Sequence, residues 1–196
     1  LLVSAWGAYN LGIKWYLQFR ESNLVQISEK NIEEGNYSEA ALSAKRALQL
    51  NSRSVPATQS MAYLAETLST PDAILWRSRA LELDPENPVN RQALAAAALR
   101  FGELQRAKTA LEALPDSERN SINFHELSAM IAFSEGRIND TISHFESALK
   151  LDPEDAIKEF NLAKAMLFSP STAQRKEAVQ RLEKLSKIQE LESETL

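Results

Sequence analysis

Ala80-Leu81-Glu82-Leu83-Asp84-Pro85-Glu86 returns as Ala148-Leu149-Lys150-Leu151-Asp152-Pro153-Glu154, an offset of 148 − 80 = 68. Half of that offset is 34, and the midpoint is marked as well. Leu114-Pro115 begins 34 after Ala80 and 34 before Ala148. A worn copy, Ala47-Leu48-Gln49-Leu50-Asn51-Ser52, stands 33 ahead of the first. Gly35, Gly102 and Gly136 precede Ala47, Leu114 and Ala148, each by 12. A fixed period of this size is the mark of a chain built from one repeated supersecondary unit.

The local pattern says what the unit is. Each period holds an apolar-periodic stretch, a short turn with Gly or Pro, a second such stretch, and then Asp-Pro or a polar equivalent. Gly35-Asn36 and Glu135-Gly136-Arg137 read as helix stops, because glycine enters the left-handed region without a Cβ clash. Asp84-Pro85 and Asp152-Pro153 are expected to break the second helix and open the next, since proline fits a first turn but not a helix interior. Small residues recur where two helices would approach closely. They are Ala62, Ala95, Ala129 and Ala163 in first helices, and Ala40, Ala73, Ala107 and Ala178 in second helices. Alternating β-branched runs bounded by turns are missing, so the expected class is all-α.

This pattern resembles the tetratricopeptide repeat family, whose unit is a 34-residue helix-turn-helix with small residues at the helix crossings. Ala129, Gly136, Phe145, Ala148 and Pro153 carry the resemblance in the fourth unit, and Ser28, Gly35, Tyr37, Ala40 and Ala47 in the first. Five repeats are assigned, at 21–54, 55–87, 88–121, 122–155 and 156–190, with 191–196 as a tail. Departures are visible. The second repeat turns at Thr70-Pro71, the fifth replaces its glycine turn with Phe168-Ser169-Pro170-Ser171, and the third carries Leu114 where a small residue belongs. The resemblance implies a right-handed α-solenoid whose first helices line a concave groove. Carried onto this chain, the groove residues are Val25 and Glu29, then Gln59 and Tyr63, then Gln92 and Arg100. Glu126, Met130 and Phe133 follow in the fourth repeat, and Phe160 and Lys164 in the fifth. The family's chaperone-tail grip needs cations that Val25, Glu29, Gln59 and Tyr63 do not supply.

Composition excludes much of the alternative chemistry. The 196 residues carry 22 Lys and Arg against 27 Asp and Glu, net −5, which disfavours a general nucleic-acid binder. With no cysteine, 2 histidines and 5 glycines there is little from which to build thiolate sites, histidine metal sites or phosphate-cradling loops. His125 and His144 lie on different helices and read as surface or core-edge residues. Nucleophile, base and oxyanion donor do not converge anywhere. The expectation is no enzyme, no cofactor, no metal site and no small-molecule substrate.

Residues 1–20 differ from the rest. They contain Lys14 and Arg20 and no acid, together with five of the 14 aromatics, Trp6, Tyr9, Trp15, Tyr16 and Phe19. A boundary is read near Arg20–Asn23. Leu1 to Ile13 is too short to span a bilayer, for which roughly 20 residues are needed. The chain opens on Leu rather than Met, so this stretch reads as the visible end of a longer apolar one. Lys14, Trp15, Tyr16, Phe19 and Arg20, with Trp6 and Tyr9, then form a membrane-interface belt. The rival is a helix packed on the first repeat, which the polar stripe Asn10, Lys14 and Gln18 favours. At the other end, Ala178, Leu182, Leu185 and Ile188 make an apolar face that further sequence or a partner would cover.

The expected function is a non-catalytic interaction scaffold, membrane-associated through its N-terminus, holding a partner peptide or helix in the groove. The alternative is a structural or assembly subunit of a membrane complex, contacting it through the N-terminal helix and the convex face.

Overall fold

The computed structural model describes the backbone of residues 2–194 and the side chains of residues 11–187. Among these residues it contains ten α-helices, one 3-10 turn and no strand. In chain order the helices are α1 (Leu2–Glu33), α2 (Tyr37–Leu50), α3 (Val55–Thr67), α4 (Asp72–Leu83) and α5 (Pro88–Arg100). They continue with α6 (Leu104–Glu112), α7 (Ile122–Ser134), α8 (Ile138–Leu151), α9 (Ala156–Leu167) and α10 (Thr172–Glu194). The chain divides into two compact units, Leu1–Ala97 and Ala98–Leu196, with the division inside α5.

In the first unit α1 pairs with α2 and α3 with α4, and α3 packs back on both earlier helices. In the second, α7 pairs with α8 and α9 with α10, while α6 packs on α7 and α8 on α9. Each helix pair covers its apolar face with its neighbour, which is how a repeat too small for its own core becomes stable. The eight alanines expected at helix crossings are all fully buried. An alanine there lets two backbones approach without a side chain between them.

The turns follow local chemistry. Gly136 has φ +73°, a conformation that would strain any L side chain, and it lets the Arg137 N–H reach the Ala132 carbonyl at 2.9 Å. The second repeat achieves the same bend without glycine. Ser69 takes φ +54°, and Thr70 N–H closes on Ala65 O at 2.9 Å. Helix starts are capped by side chains: Ser54 Oγ accepts from Ala57 N–H, Ser121 Oγ from Phe124 N–H, and Asp155 Oδ1 from Ile157 and Lys158 N–H.

Two expectations need correction. Asp84-Pro85 and Asp152-Pro153 do end α4 and α8, but neither proline opens the next helix. The residue before a proline is pushed out of the α region, and Asp84 (φ −141°, ψ 74°) and Asp152 (φ −145°, ψ 82°) are both there. The chain therefore runs on for a few residues before α5 starts at Pro88 and α9 at Ala156. In the third repeat, α6 stops at Glu112, short of Leu114, which is buried in the following loop. Arg119 holds that loop by donating to Leu114 O at 3.0 Å and Glu112 O at 2.7 Å. Helix α1 passes through Arg20–Asn23 without a break, and α10 runs on to Glu194. What changes near Arg20 is packing, not secondary structure. Every residue from 11 to 20 is exposed, whereas Val25, Ser28 and Ile32 are buried at helical spacing.

The second repeat is stitched to the first by polar groups as well. Ser28 Oγ donates to Ala40 O at 2.9 Å, so its 2.7 Å contact with Ser60 Oγ takes its hydrogen from Ser60. Among the described residues no buried side-chain polar atom lacks a partner.

Candidate functional site

Helix α7 turns Leu127, Ile131 and Ala132 into the core. That leaves Glu126, Met130 and Phe133, at spacings of four and three, on a face where Met130 and Phe133 are exposed and Glu126 is half-buried. Helix α9 buries Leu162, Ala163, Ala165 and Met166. Its opposite face carries Ile157, Asn161, Lys164 and, just past its end, Phe168. These two faces, with Phe145 of α8 and Leu99 of α5, line one cleft of about 520 Å³. That volume lies within the range of roughly 300–1,000 Å³ usual for binding pockets. The rings of Phe133 and Phe168 meet edge to face at 5.3 Å. Ile157 is 71% exposed, Phe168 59%, Met130 48% and Phe133 45%, a large amount of apolar surface to leave facing water.

Of the groove residues expected from sequence, Glu126, Met130, Phe133 and Lys164 line this cleft together. Phe160 is exposed one turn before Lys164, whose ammonium lies 5.6 Å from its ring centre. Arg100 is exposed, with its guanidinium over Phe101 at 6.0 Å. The first unit treats its candidates differently. Tyr63 is exposed, but Gln92 is buried, Val25 lies in the core with Ala47 and Ala57, and Gln59 donates to Asn90 Oδ1 at 2.8 Å. Gln59, Val25 and Gln92 are thus engaged in holding the fold. Ile157, Asn161 and Phe168 were missed from the sequence. They lie seven and three before Lys164 and four after it, so helical spacing from that one residue finds all three.

The N-terminal candidates lie on the exposed part of α1. Trp15 and Phe19 stack at 5.8 Å, and the Arg20 guanidinium sits 5.9 Å from the Tyr16 ring. The side chains of Trp6 and Tyr9 lie outside the described residues, as does that of Ile188. Among the described residues, no helix is long and apolar enough to cross a membrane.

His125 and His144, treated separately in the sequence, meet across the α7–α8 pair. Their Nδ1 atoms are 3.2 Å apart, and His125 Nε2 is 3.2 Å from Asn120 Oδ1. A carbonyl oxygen only accepts, so His125 carries its hydrogen on Nε2 and His144 donates from Nδ1. His144 lines a second, smaller cleft of about 230 Å³ together with Phe124, Arg119 and Arg137. Desolvation holds both imidazoles below their ordinary 6.5, and the facing His125 lowers His144 further. Asp140 opposes this at His144 and Arg137 adds to it, each more weakly. Folded pKa values below the unfolded ones mean that the unfolded chain binds more protons in acid. The stability these groups confer is complete above 6.5 and is lost as pH falls from 6.5 through the folded values. Thermal melting of the wild type is therefore expected to drop between about pH 7 and pH 5, and less steeply in His144→Gln. Equal slopes in the two proteins would remove the pair from the pH response. Among the described residues no group of three metal-ligating side chains converges.

Comparison with known proteins bears on the fold. The family described as Tetratricopeptide repeat matches residues 78–131. No curated protein sequence matches the chain. Among solved structures, the MamA RS-1 ArsTM double mutant is similar over 87% of this chain and 96% of its own, with 17% identity and a TM-score of 0.75. PilF of Pseudomonas aeruginosa is similar over 86% of this chain and 77% of its own, at 17% identity and TM-score 0.72. YrrB, described as a TPR protein with an unusual peptide-binding site, is similar over 88% and 91%, at 18% identity and TM-score 0.63. At such identities the likeness speaks for architecture alone. Residues 78–131 thus carry the sequence pattern of the tetratricopeptide repeat, and the chain has the all-α solenoid fold built from such repeats.

Proposed function

We propose that this chain is a non-catalytic scaffold that holds a segment of a partner protein in the α7–α9 cleft. The observation that carries this reading is the cleft itself, two helix faces whose Met130, Phe133, Ile157 and Phe168 are left uncovered. YrrB, a protein of similar fold, is described as having a peptide-binding site, which is in keeping with it. Apolar anchors that fill such a cleft supply most of the energy in peptide recognition, and polar edges supply orientation. The test is co-purification from detergent-solubilised cells with the wild type and with Met130→Glu and Phe133→Glu. Both side chains face solvent, so the fold is expected to survive. A partner retained by the wild type should be lost at least about 10-fold in both variants. An unchanged set of partners would overturn the reading.

Membrane association through residues 11–20 belongs to the same proposal. A helix segment that exposes large apolar side chains over most of its circumference, with only a narrow polar stripe, is ordinarily covered by protein or lipid. Leu11, Ile13, Trp15, Tyr16, Leu17 and Phe19 are exposed, with Lys14 and Arg20 as the only charges in that stretch. The belt chemistry is that of an aromatic and cationic interfacial segment. Co-flotation with liposomes should fall in the Trp15→Glu/Phe19→Glu variant. Flotation equal to wild type would detach this segment from the membrane and favour the second reading, in which it contacts subunits of a complex directly.

A further inference from the structure

Charge in the second unit is mostly paired wherever it is half-buried. Lys108 meets Glu135 at 2.6 Å, Arg181 meets Glu159 at 2.7 Å, and Lys158 meets Asp152 at 3.1 Å. The α7–α9 cleft departs from that rule. Glu126, half-buried on the α7 wall, has no ion-pair or hydrogen-bond partner among the described residues, and across from it Lys164 stands exposed on the α9 wall, without an ion-pair or hydrogen-bond partner among them either. The Lys164 ammonium lies over the face of Phe160, 5.6 Å from the ring centre. Between these two ions the lining is largely apolar. A purely apolar occupant would strip water from a carboxylate and an ammonium and give nothing back, which is costly for each ion. An occupant carrying opposite charges at the same two places turns that cost into selection.

We propose that the cleft accepts an amphipathic segment of a protein partner, with large apolar side chains in the middle, a base set against Glu126 and an acid set against Lys164. This rests on the reading of the cleft as the partner site and adds what the partner must look like. A second copy of this chain fits poorly. Among the described residues its longest run of exposed apolar side chains, residues 11–20, carries Lys14 and Arg20 but no acid, and would leave Lys164 unpaired.

The experiment is selection from a displayed library of random 16-residue peptides on the full chain, repeated on Lys164→Glu and Glu126→Lys. Circular dichroism checks that both variants are folded. Wild-type selection should enrich peptides holding two or more large apolar residues with one acid and one base. Lys164→Glu should enrich peptides carrying bases only, and Glu126→Lys peptides carrying acids only. A wild-type peptide should bind Lys164→Glu about 10-fold more weakly or worse, and replacing its acid by Lys should restore the affinity. Peptides that bind, are displaced by Met130→Glu, and yet show no charge bias would sink this inference and leave the scaffold reading standing. Peptides indifferent to Met130→Glu would sink both. A dimer in sedimentation that Met130→Glu dissociates would give the cleft to a second copy and overturn the proposal.

Discussion

Leu162→Ala is expected to lower the stability of the second unit by about 2–5 kcal/mol, toward the upper part of that range. Leu162 is 1% exposed and lies where three helices meet, among Ile142 of α8, Ala165 and Met166 of α9 and Ala178 of α10. Ile138, Phe145 and Leu149 pack around the same cluster. The cost of a truncation depends on how far the neighbours collapse into the space. Two of these neighbours are alanines with no rotamer to change, so they cannot reach into the space. The cavity should therefore persist. Leu162→Met, which nearly conserves volume, is expected to cost less than about 1.5 kcal/mol. Every tryptophan and tyrosine of the chain lies before residue 77, so aromatic fluorescence reports the first unit only, and far-ultraviolet circular dichroism, which reads the helices of both units, is needed to follow the second. A loss under about 1 kcal/mol for Leu162→Ala would mean that the cluster is not packed as described.

The same cluster connects packing to the candidate site. Leu162 and Ala165 are inward residues of α9, and Asn161 and Lys164 beside them face the cleft. Loosening the inner face moves the outer one. Leu162→Ala should therefore weaken whatever binding Met130→Glu abolishes, although Leu162 touches no occupant.

How much of this was legible in the sequence depends on the range of the interaction. The repeat, the glycine turn at Gly136 and the crossings at Ala129 and Ala163 are local or periodic, and a spacing along the chain reports them directly. Glu126, Met130 and Phe133 were named instead through the resemblance to the tetratricopeptide repeat, whose groove positions fall on the outward face of α7. What the sequence hid is set by contacts between elements. Gln92 sits at a groove spacing yet is buried, and Gln59 is turned to Asn90. Nothing in the spacing says which polar side chain will be used to complete a neighbouring turn. The His125–His144 contact is of the same kind, since two residues 19 apart meet only because α7 and α8 fold back on each other. The Asp-Pro signals were half right for a local reason: a proline constrains the residue before it as firmly as it suits a helix start.

Asn90→Leu is expected to destabilise the first unit by about 2–5 kcal/mol, because it strands polar groups rather than opening space. Asn90 is 1% exposed, in the first turn of α5. Its Nδ2 donates to Asp84 O at 3.2 Å and lies 3.5 Å from Ala80 O, so it completes carbonyls that the end of α4 leaves open. Its Oδ1 accepts from Gln59 Nε2 of α3 at 2.8 Å. One side chain thus ties together α3, α4 and α5, and leucine of similar volume breaks all of it while keeping the space filled. Asn90→Asp separates the two halves of the argument. A carboxylate still accepts from Gln59 but faces the α4 carbonyls with no hydrogen to give, and burial raises its pKa. A raised folded pKa makes the protonated form the stable one, so the defect in Asn90→Asp should grow as pH rises through neutrality and shrink in mild acid, where the carboxylic hydrogen serves Asp84 O. Trp76 fluorescence during denaturant unfolding reads both variants, since Trp76 lies on α4. A pH-independent defect in Asn90→Asp would show that the donor side of this residue contributes nothing and that its acceptor bond to Gln59 alone holds the turn.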